Sequence, residues 1–198
     1  ITAHDHNQIT RLRTDGEALF AFLAERNIPT ALNHMLSPMT GPRSTGDYAY
    51  ALDRVGLVES QNGNMPKAVN VLAGRAAERL GRAGVGGSDA HTVATVARAY
   101  TEVPGARSRE EFLAALREGA TVPRGSAGSY AQLVGDITRV TAGAYRDIVG
   151  RALFGRGGLK PILAALVTVP ITALIPLIAF VARAQASLAP HRDARRLE

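Results

Sequence analysis

Short apolar runs and helical patterns alternate along the first 125 residues, and this alternation leaves few folds open. Extended segments are predicted at 30–33, 55–58, 85–87 and 99–103, with Ile1–His4 as the end of a further strand. Helical patterns occur between them. Strands that are joined through helices pair in parallel, so the sequence predicts an α/β fold with a parallel sheet and crossover helices.

Side chains that can bind metals follow the predicted strands. The carboxyl ends of parallel strands share one edge, and functional sites lie there. This edge would carry four of the five histidines and two acidic residues: His4, His6, His34, Glu59, Asp89 and His91. Asp89 and His91 stand two residues apart, and carboxylate oxygen with imidazole nitrogen suits Zn, Mn or Fe. The chain has no Cys, which excludes thiolate metal sites and Cys nucleophiles.

Each of these residues also has a simpler interpretation. Asp89 could cap a turn, with His91 as a polar loop residue. His34 could be a core histidine with satisfied hydrogen bonds. Glu59 could hydrogen-bond a ligand histidine, contact a substrate or pair with an arginine. The residues alone leave these alternatives open.

The combined motifs resemble the polymerase and histidinol phosphatase (PHP) superfamily of metal-dependent phosphoesterases. A late PHP strand ends in G-S-D-A-H, present here as Gly87–His91, and the next ends like Y-T-x-V-P, present at 100–104. The segment A-L-N-H at 31–34 resembles an upstream strand that ends in a histidine. Glu59, Asn62 and Gly63 match E-x-x-N-G. The resemblance covers about residues 1–130.

The resemblance implies a partial, distorted (β/α)7 barrel with parallel strands. It also implies two or three divalent metal ions (Mn, Zn or Fe) that activate water to hydrolyse a phosphorylated small molecule. His4 and His34 would help to hold one metal, with His6 as a second choice for His4. Asp89 and His91 would each bind a different metal and serve as the catalytic residues.

The opening H-x-H motif of the family has no clear counterpart in this sequence. We therefore align Ile1–His4 with a later strand, and on that alignment the opening half of the barrel would precede Ile1. Arg43 follows His34 in a loop, and its position suggests a bidentate phosphate contact. Glu59 and Asn62 complete the predicted substrate-binding residues.

The C-terminal third of the chain contains a long apolar segment and an excess of positive charge. Residues 161–182 are uncharged and lie between Lys160 and Arg183, a length that suits a membrane-spanning helix. Residues 130–198 carry a net charge of +5 against +1 for residues 1–129, which favours a membrane surface as a partner. Basic and aromatic residues do not interleave along a face, so no nucleic-acid partner is expected. A helix buried against the rest of the protein, or a hairpin in one leaflet, is the alternative.

These features predict three parts. Residues 1–128 form the C-terminal part of a PHP-like metallohydrolase domain, 129–158 an amphipathic helical connector, and 159–198 a hydrophobic helix with a basic tail. The leading hypothesis is a membrane-associated, metal-dependent phosphoesterase whose catalytic part is cytoplasmic. The alternatives are a non-catalytic membrane-associated module with a PHP fold and a metal-dependent hydrolase of a non-phosphate bond.

Overall fold

A computed structural model describes residues 3–37, 44–154, 163, 166 and 172–188. The helices in this part are α1 (Ala3–Leu12), α2 (Gly16–Glu25), α3 (Thr45–Arg54), α4 (Lys67–Arg79), α5 (Arg109–Glu118), α6 (Tyr130–Phe154) and α7 (Ile175–Leu188), with a 3-10 turn at Val93–Thr95. The strands are β1 (Ala31–Leu32), β2 (Leu57–Asn62), β3 (Ala83–Gly87), β4 (Ala99–Glu102) and β5 (Val122–Gly125).

The first three strands form a parallel sheet in the order β1-β2-β3. Ala31 pairs with Leu57, and Leu57 pairs with Ala83, so the strands start at the same edge. Helix α3 connects β1 to β2, and α4 connects β2 to β3. The prediction of a mixed α/β fold with parallel strands and crossover helices is confirmed for this part of the chain.

The last two strands depart from the parallel pattern. β4 and β5 pair antiparallel, with Ala99 opposite Gly125, and form a separate two-stranded sheet against β3. The strands that the structure describes therefore do not close into a barrel. The fold is a small parallel sheet extended by a β-ribbon.

Glycines in β3 let this ribbon approach closely. A Cβ atom on Gly86 would lie 2.3 Å from the backbone oxygen of Tyr100, and one on Gly84 would lie 3.4 Å from Pro123. The Thr101 hydroxyl donates to the Gly86 oxygen at 2.9 Å, and Thr121 donates to the Gly84 oxygen at 2.7 Å. The glycine-rich sequence 83–87 thus brings two backbones into direct contact.

The predicted strand at Ile1–His4 is wrong where the structure describes it, because residues 3–12 form α1. The apolar run Ile1–Ala3 is too short to define a strand by its pattern. Asp5 in the first turn and Arg11 in the last turn complement the helix dipole. Asp5 Oδ1 also lies 3.2 Å from Arg26 Nη1, which fixes the start of α1 beside the end of α2.

The hydrophobic core lies between β2 and the helices α3 and α4. Val58 and Met35 are fully buried there, and the Tyr48 hydroxyl donates to the Met35 carbonyl at 2.9 Å. The other buried members of this cluster are Leu36, Leu52, Met65, Val69, Ala73 and Ala77. The core therefore holds β2 and the loops that follow β1 and β2 in place, and these loops reach the candidate site.

The predicted amphipathic helix is confirmed as α6, and α7 packs against it. The Tyr130 hydroxyl donates to the Pro176 carbonyl at 2.9 Å. The Arg183 guanidinium donates to the carbonyls of Asn64 and Gly128, and its partial burial lowers the pKa of this group. The C-terminal helix is thereby connected to the loops that follow β2 and β5.

Much of the segment 161–182 lies outside the described residues. Among the helices that the structure describes, none combines the length and the apolar character needed to cross a membrane.

Candidate functional site

A cavity of about 330 Å³ lies between the strand-end loops and α6. The loops after β1, β2 and β3 form one side, and α6 forms the other. The lining residues from the loops are His34, Ser37, Asn64, Met65, Asp89 and His91. Those from α6 are Leu133, Asp136, Ile137, Val140 and Thr141. The structure thus brings the predicted residues His34, Asp89 and His91 to one cavity, as expected for the ends of neighbouring parallel strands.

Two of these residues have an unusual backbone conformation. His34 has a φ of 33° and Asp89 has a φ of 48°, both in the left-handed region that side chains other than glycine seldom adopt. Such strain persists only where the surrounding structure enforces it, and it is concentrated at functional sites. In each case the chain turns directly after a parallel strand, which directs the loop toward the cavity.

The two cavity histidines differ in which ring nitrogen has a hydrogen-bond partner. His34 Nδ1 is buried and has no hydrogen-bond partner among the described residues. His91 Nδ1 lies 3.0 Å from the Asp89 carbonyl oxygen. Because a carbonyl only accepts, this His91 nitrogen donates, and Nε2 is left as the acceptor. An imidazole oriented in this way through one nitrogen is suited to bind a cation through the other.

Glu59 lies within β2, and its carboxylate is next to the ends of the two neighbouring strands, β1 and β3. Its Oε2 accepts from the backbone N–H of His34 at 2.8 Å and from Asn62 Nδ2 at 2.9 Å. Its Oε1 lies where a Cβ atom on Gly87 would approach to 2.5 Å, so a larger residue at position 87 would require the Glu59 carboxylate to shift. Glu59 is 7% exposed and does not line the cavity. Its observed contacts position His34.

Asn62, like Glu59, is buried and forms hydrogen bonds within the protein. Its Oδ1 accepts from the backbone N–H groups of Asn64 at 2.8 Å and Met65 at 3.0 Å, and it is 2% exposed. Asn62 shapes the loop that carries Asn64 and Met65 into the cavity wall. The predicted substrate contacts of Glu59 and Asn62 remain predictions, because the bonds seen here are to the protein itself.

Replacing Glu59 by Ala is expected to lower the free energy of unfolding by about 2–4 kcal/mol, because two buried donors lose their acceptor. Equilibrium denaturation with urea measures this loss. Glu78→Ala on the exposed surface of α4 is the matched control and should change stability by less than about 0.5 kcal/mol. Equal stability of the two variants would contradict the positioning role of Glu59.

The remaining predicted residues do not join this cavity. His6 is exposed on α1 and is not among the lining residues, because the ion pair of Asp5 with Arg26 holds the start of α1 near the end of α2. That position precedes β1, whereas His34 follows it. The backbone of His4 is part of the same helix, and its side chain lies outside the described part of the structure, as does Arg43.

The donor types fit a divalent metal, but the arrangement is incomplete. His34, Asp89 and His91 offer nitrogen and oxygen atoms that suit Mn, Zn or Fe. Within residues 3–37, 44–154 and 172–188, however, no group of three or more His, Asp or Glu residues is close enough to hold an ion. The described residues therefore supply part of a metal site and not a complete one.

Sequence reasoning missed the wall that α6 contributes. Asp136 is 2% exposed and lines the cavity together with Leu133, Ile137 and Val140. The signal is present in the sequence, because positions 133, 136, 137 and 140 share one face of a helix. A single carboxylate on an otherwise apolar helix face points to a buried polar function.

Comparison with known proteins supports the resemblance inferred from the motifs. Residues 68–121, from α4 to the start of β5, match the family described as PHP-associated. No curated protein and no solved structure matches the chain. The matched segment contains Gly87–His91 and thus includes two of the three predicted ligands at the cavity. The match supports similarity of residues 68–121 to a C-terminal region of PHP proteins.

Proposed function

We propose that this chain forms part of a metal-dependent phosphoesterase and that the cavity under α6 is its substrate site. One observation carries the proposal: His34, which follows β1, lines the same cavity as Asp89 and His91, which both follow β3. The match of residues 68–121 to the PHP-associated family supports it, since proteins of the PHP family are usually metal-dependent hydrolases. The reaction would be hydrolysis of a phosphorylated small molecule.

The residues of this chain would provide donors and hold them in position. His34 offers an unpartnered Nδ1, and Glu59 fixes its backbone. His91 donates through Nδ1 to the Asp89 carbonyl and leaves Nε2 for a ligand. Bound Mn, Zn or Fe would supply an activated water and would neutralise phosphoryl charge. The described side chains do not complete such a site, and His4 stays a candidate for a further donor.

A phosphate contact by Arg43 belongs to the same proposal. The residue follows His34 in the chain, and a guanidinium group binds phosphate oxygens through two parallel hydrogen bonds. Its position near the strand end is inferred from the sequence.

The direct test is hydrolysis of p-nitrophenyl phosphate by the intact protein with added Mn²⁺, together with equilibrium dialysis of Mn²⁺. Release of p-nitrophenol that depends on the metal and stops with EDTA is expected. Metal binding with hydrolysis of p-nitrophenyl acetate alone would favour the hydrolase of a non-phosphate bond. If neither binding nor hydrolysis is detected, the enzyme proposal is wrong.

A second candidate function is a membrane-associated role for the C-terminal helices. On α7, Leu177 is 58% exposed, Ile178 50% and Val181 45%, and their spacing places them on one helix face. Several large apolar side chains exposed on one face are typical of an interaction surface. The net charge of +5 over residues 130–198 would favour anionic lipid. This role would fit either an enzyme or a non-catalytic PHP-fold module.

Flotation with vesicles that contain phosphatidylserine is expected to recover the wild-type protein in the lipid fraction. Leu177→Asp should reduce this recovery by about fivefold or more, since it places a charge on the apolar face. Gln185→Asp, at an exposed position of the same helix, adds the same charge and should have a smaller effect. Recovery that is equal for both variants would argue against membrane contact through this face.

A further inference from the structure

The α6 wall of the cavity carries one carboxylate among apolar side chains. Asp136 stands between Leu133, Ile137 and Val140, and its side chain is 3% exposed. Burying a carboxylate costs free energy unless hydrogen bonds compensate for the lost water. The partners of Asp136 therefore indicate whether its role is purely structural.

The two oxygens of Asp136 have different surroundings. Oδ1 accepts from the Thr92 hydroxyl at 2.7 Å and lies 3.5 Å from Arg139 Nη1. Oδ2 is buried and has no hydrogen-bond partner among the residues that the structure describes. Since the Arg139 side chain is 60% exposed, water screens its charge. The carboxylate is thus anchored through one oxygen, and the other retains its capacity to accept.

The opposite wall shows a related feature. His34 Nδ1 and Asn64 Oδ1 are also buried without a hydrogen-bond partner among the described residues, so with Asp136 Oδ2 three such atoms belong to residues of one cavity. A volume of about 330 Å³ is in the range of small-molecule sites, which are mostly apolar with a few polar groups that fix orientation. The α6 wall follows this pattern, with three aliphatic side chains around one carboxylate and the Thr141 hydroxyl as a further polar group.

We propose that Asp136 is a specificity-determining residue of this site. It accepts a hydrogen bond from a hydroxyl or ammonium group on the non-phosphate part of the substrate. The apolar carbons of that part contact Leu133, Ile137 and Val140. The inference rests on the proposed function in one respect, namely that this cavity holds the substrate. Recognition by Asp136 itself requires no metal ion and no phosphate.

Binding of small probes tests the proposal without catalysis. Benzyl alcohol and benzylammonium each carry a donor on an apolar ring, and toluene is the matched probe without one. Methyl NMR signals of Leu133, Ile137 and Val140 in the full chain report binding to this wall. In the wild type, at least one donor probe should bind about tenfold more tightly than toluene, as expected for one hydrogen bond to a charged group. The preferred probe distinguishes a neutral donor from a cationic one.

Asp136→Asn should remove this preference and leave toluene binding unchanged within about twofold. It replaces one carboxylate oxygen by an amide NH₂ at nearly constant volume. Asp147→Asn, at an exposed position of the same helix, is the matched control and should bind all three probes like the wild type. Thermal melting of both variants checks that the fold is retained.

Three results would overturn the proposal. The first is a wild type that binds toluene as tightly as both donor probes, a comparison that does not depend on any variant. The second is a folded Asp136→Asn variant that keeps the preference. The third is an equal loss of all three probes, which would indicate a purely structural role. Absence of phosphatase activity would count against the proposed function and would leave this binding result unchanged.

Discussion

Replacing Asp89 by Asn is expected, under the proposed function, to lower Mn²⁺-dependent hydrolysis of p-nitrophenyl phosphate about 100-fold or more, measured as kcat/KM. Loss of a ligand costs at least as much as loss of the groups that orient ligands, which is about 10–100-fold. Asn is the suitable replacement because Asp89 has a φ of 48°, a conformation that Asn adopts at least as readily as Asp. An alanine at position 89 would strain the backbone as well as remove the carboxylate, so the two effects could not be separated.

The control for this prediction is Asp53→Asn. The Asp53 side chain is 81% exposed on α3, away from the cavity, so the same loss of charge should leave kcat/KM within about twofold. Melting temperatures separate chemistry from folding, and Mn²⁺ dialysis shows whether the variant still binds metal. An Asp89→Asn variant with normal activity and normal metal content would remove Asp89 from the site.

The second large effect is expected for stability. Gly86→Ala should lower the free energy of unfolding by about 2–3 kcal/mol, the range for overpacking a site that cannot adjust. The added Cβ would lie 2.3 Å from the Tyr100 carbonyl oxygen and 2.8 Å from its carbon. Both atoms belong to the backbone of β4, so relief requires the ribbon of β4 and β5 to move away from β3.

Gly56→Ala provides the matched control, since a Cβ atom there would meet no heavy atom within 4 Å. It should leave stability unchanged or raise it slightly, because alanine restricts the unfolded chain more than glycine does. Urea denaturation of both variants measures the difference. If Gly86→Ala were as stable as Gly56→Ala, the close contact between β3 and β4 would be incorrect.

The sequence predicts the elements that have local signals. The alternation of apolar runs and helical patterns locates the three parallel strands, and the apolar periodicity of 130–154 predicts the full extent of α6. Parallel pairing places the loops after β1 and β3 at one edge, so the sequence also predicts that His34, Asp89 and His91 line one cavity. Among the described residues they do not come close enough to form a metal-binding group. The positions of these strands, of α6 and of the cavity residues follow from apolar periodicity and from the order of the elements, and both can be read from a single sequence.

Other properties depend on contacts that a single sequence does not show. The run Ile1–His4 resembles a strand end, but residues 3–12 form α1, and Asp5 in its first turn pairs with Arg26, the residue directly after α2. The antiparallel pairing of β4 with β5 reflects their packing on the glycines of β3. The sequence predicts that Glu59 follows a strand at 55–58, whereas it lies within β2, and its hydrogen bonds connect β2 to the residues that follow β1.

The cavity wall formed by α6 changes where this protein can be divided. The boundary between residues 128 and 129, reasonable from composition, separates the strand-end histidines from the helix that covers them. A fragment that stops there would keep Gly87–His91 but would lose Leu133, Asp136 and Ile137 and open the pocket to bulk water. The smallest unit worth expressing for ligand studies therefore extends through residue 154, the end of α6.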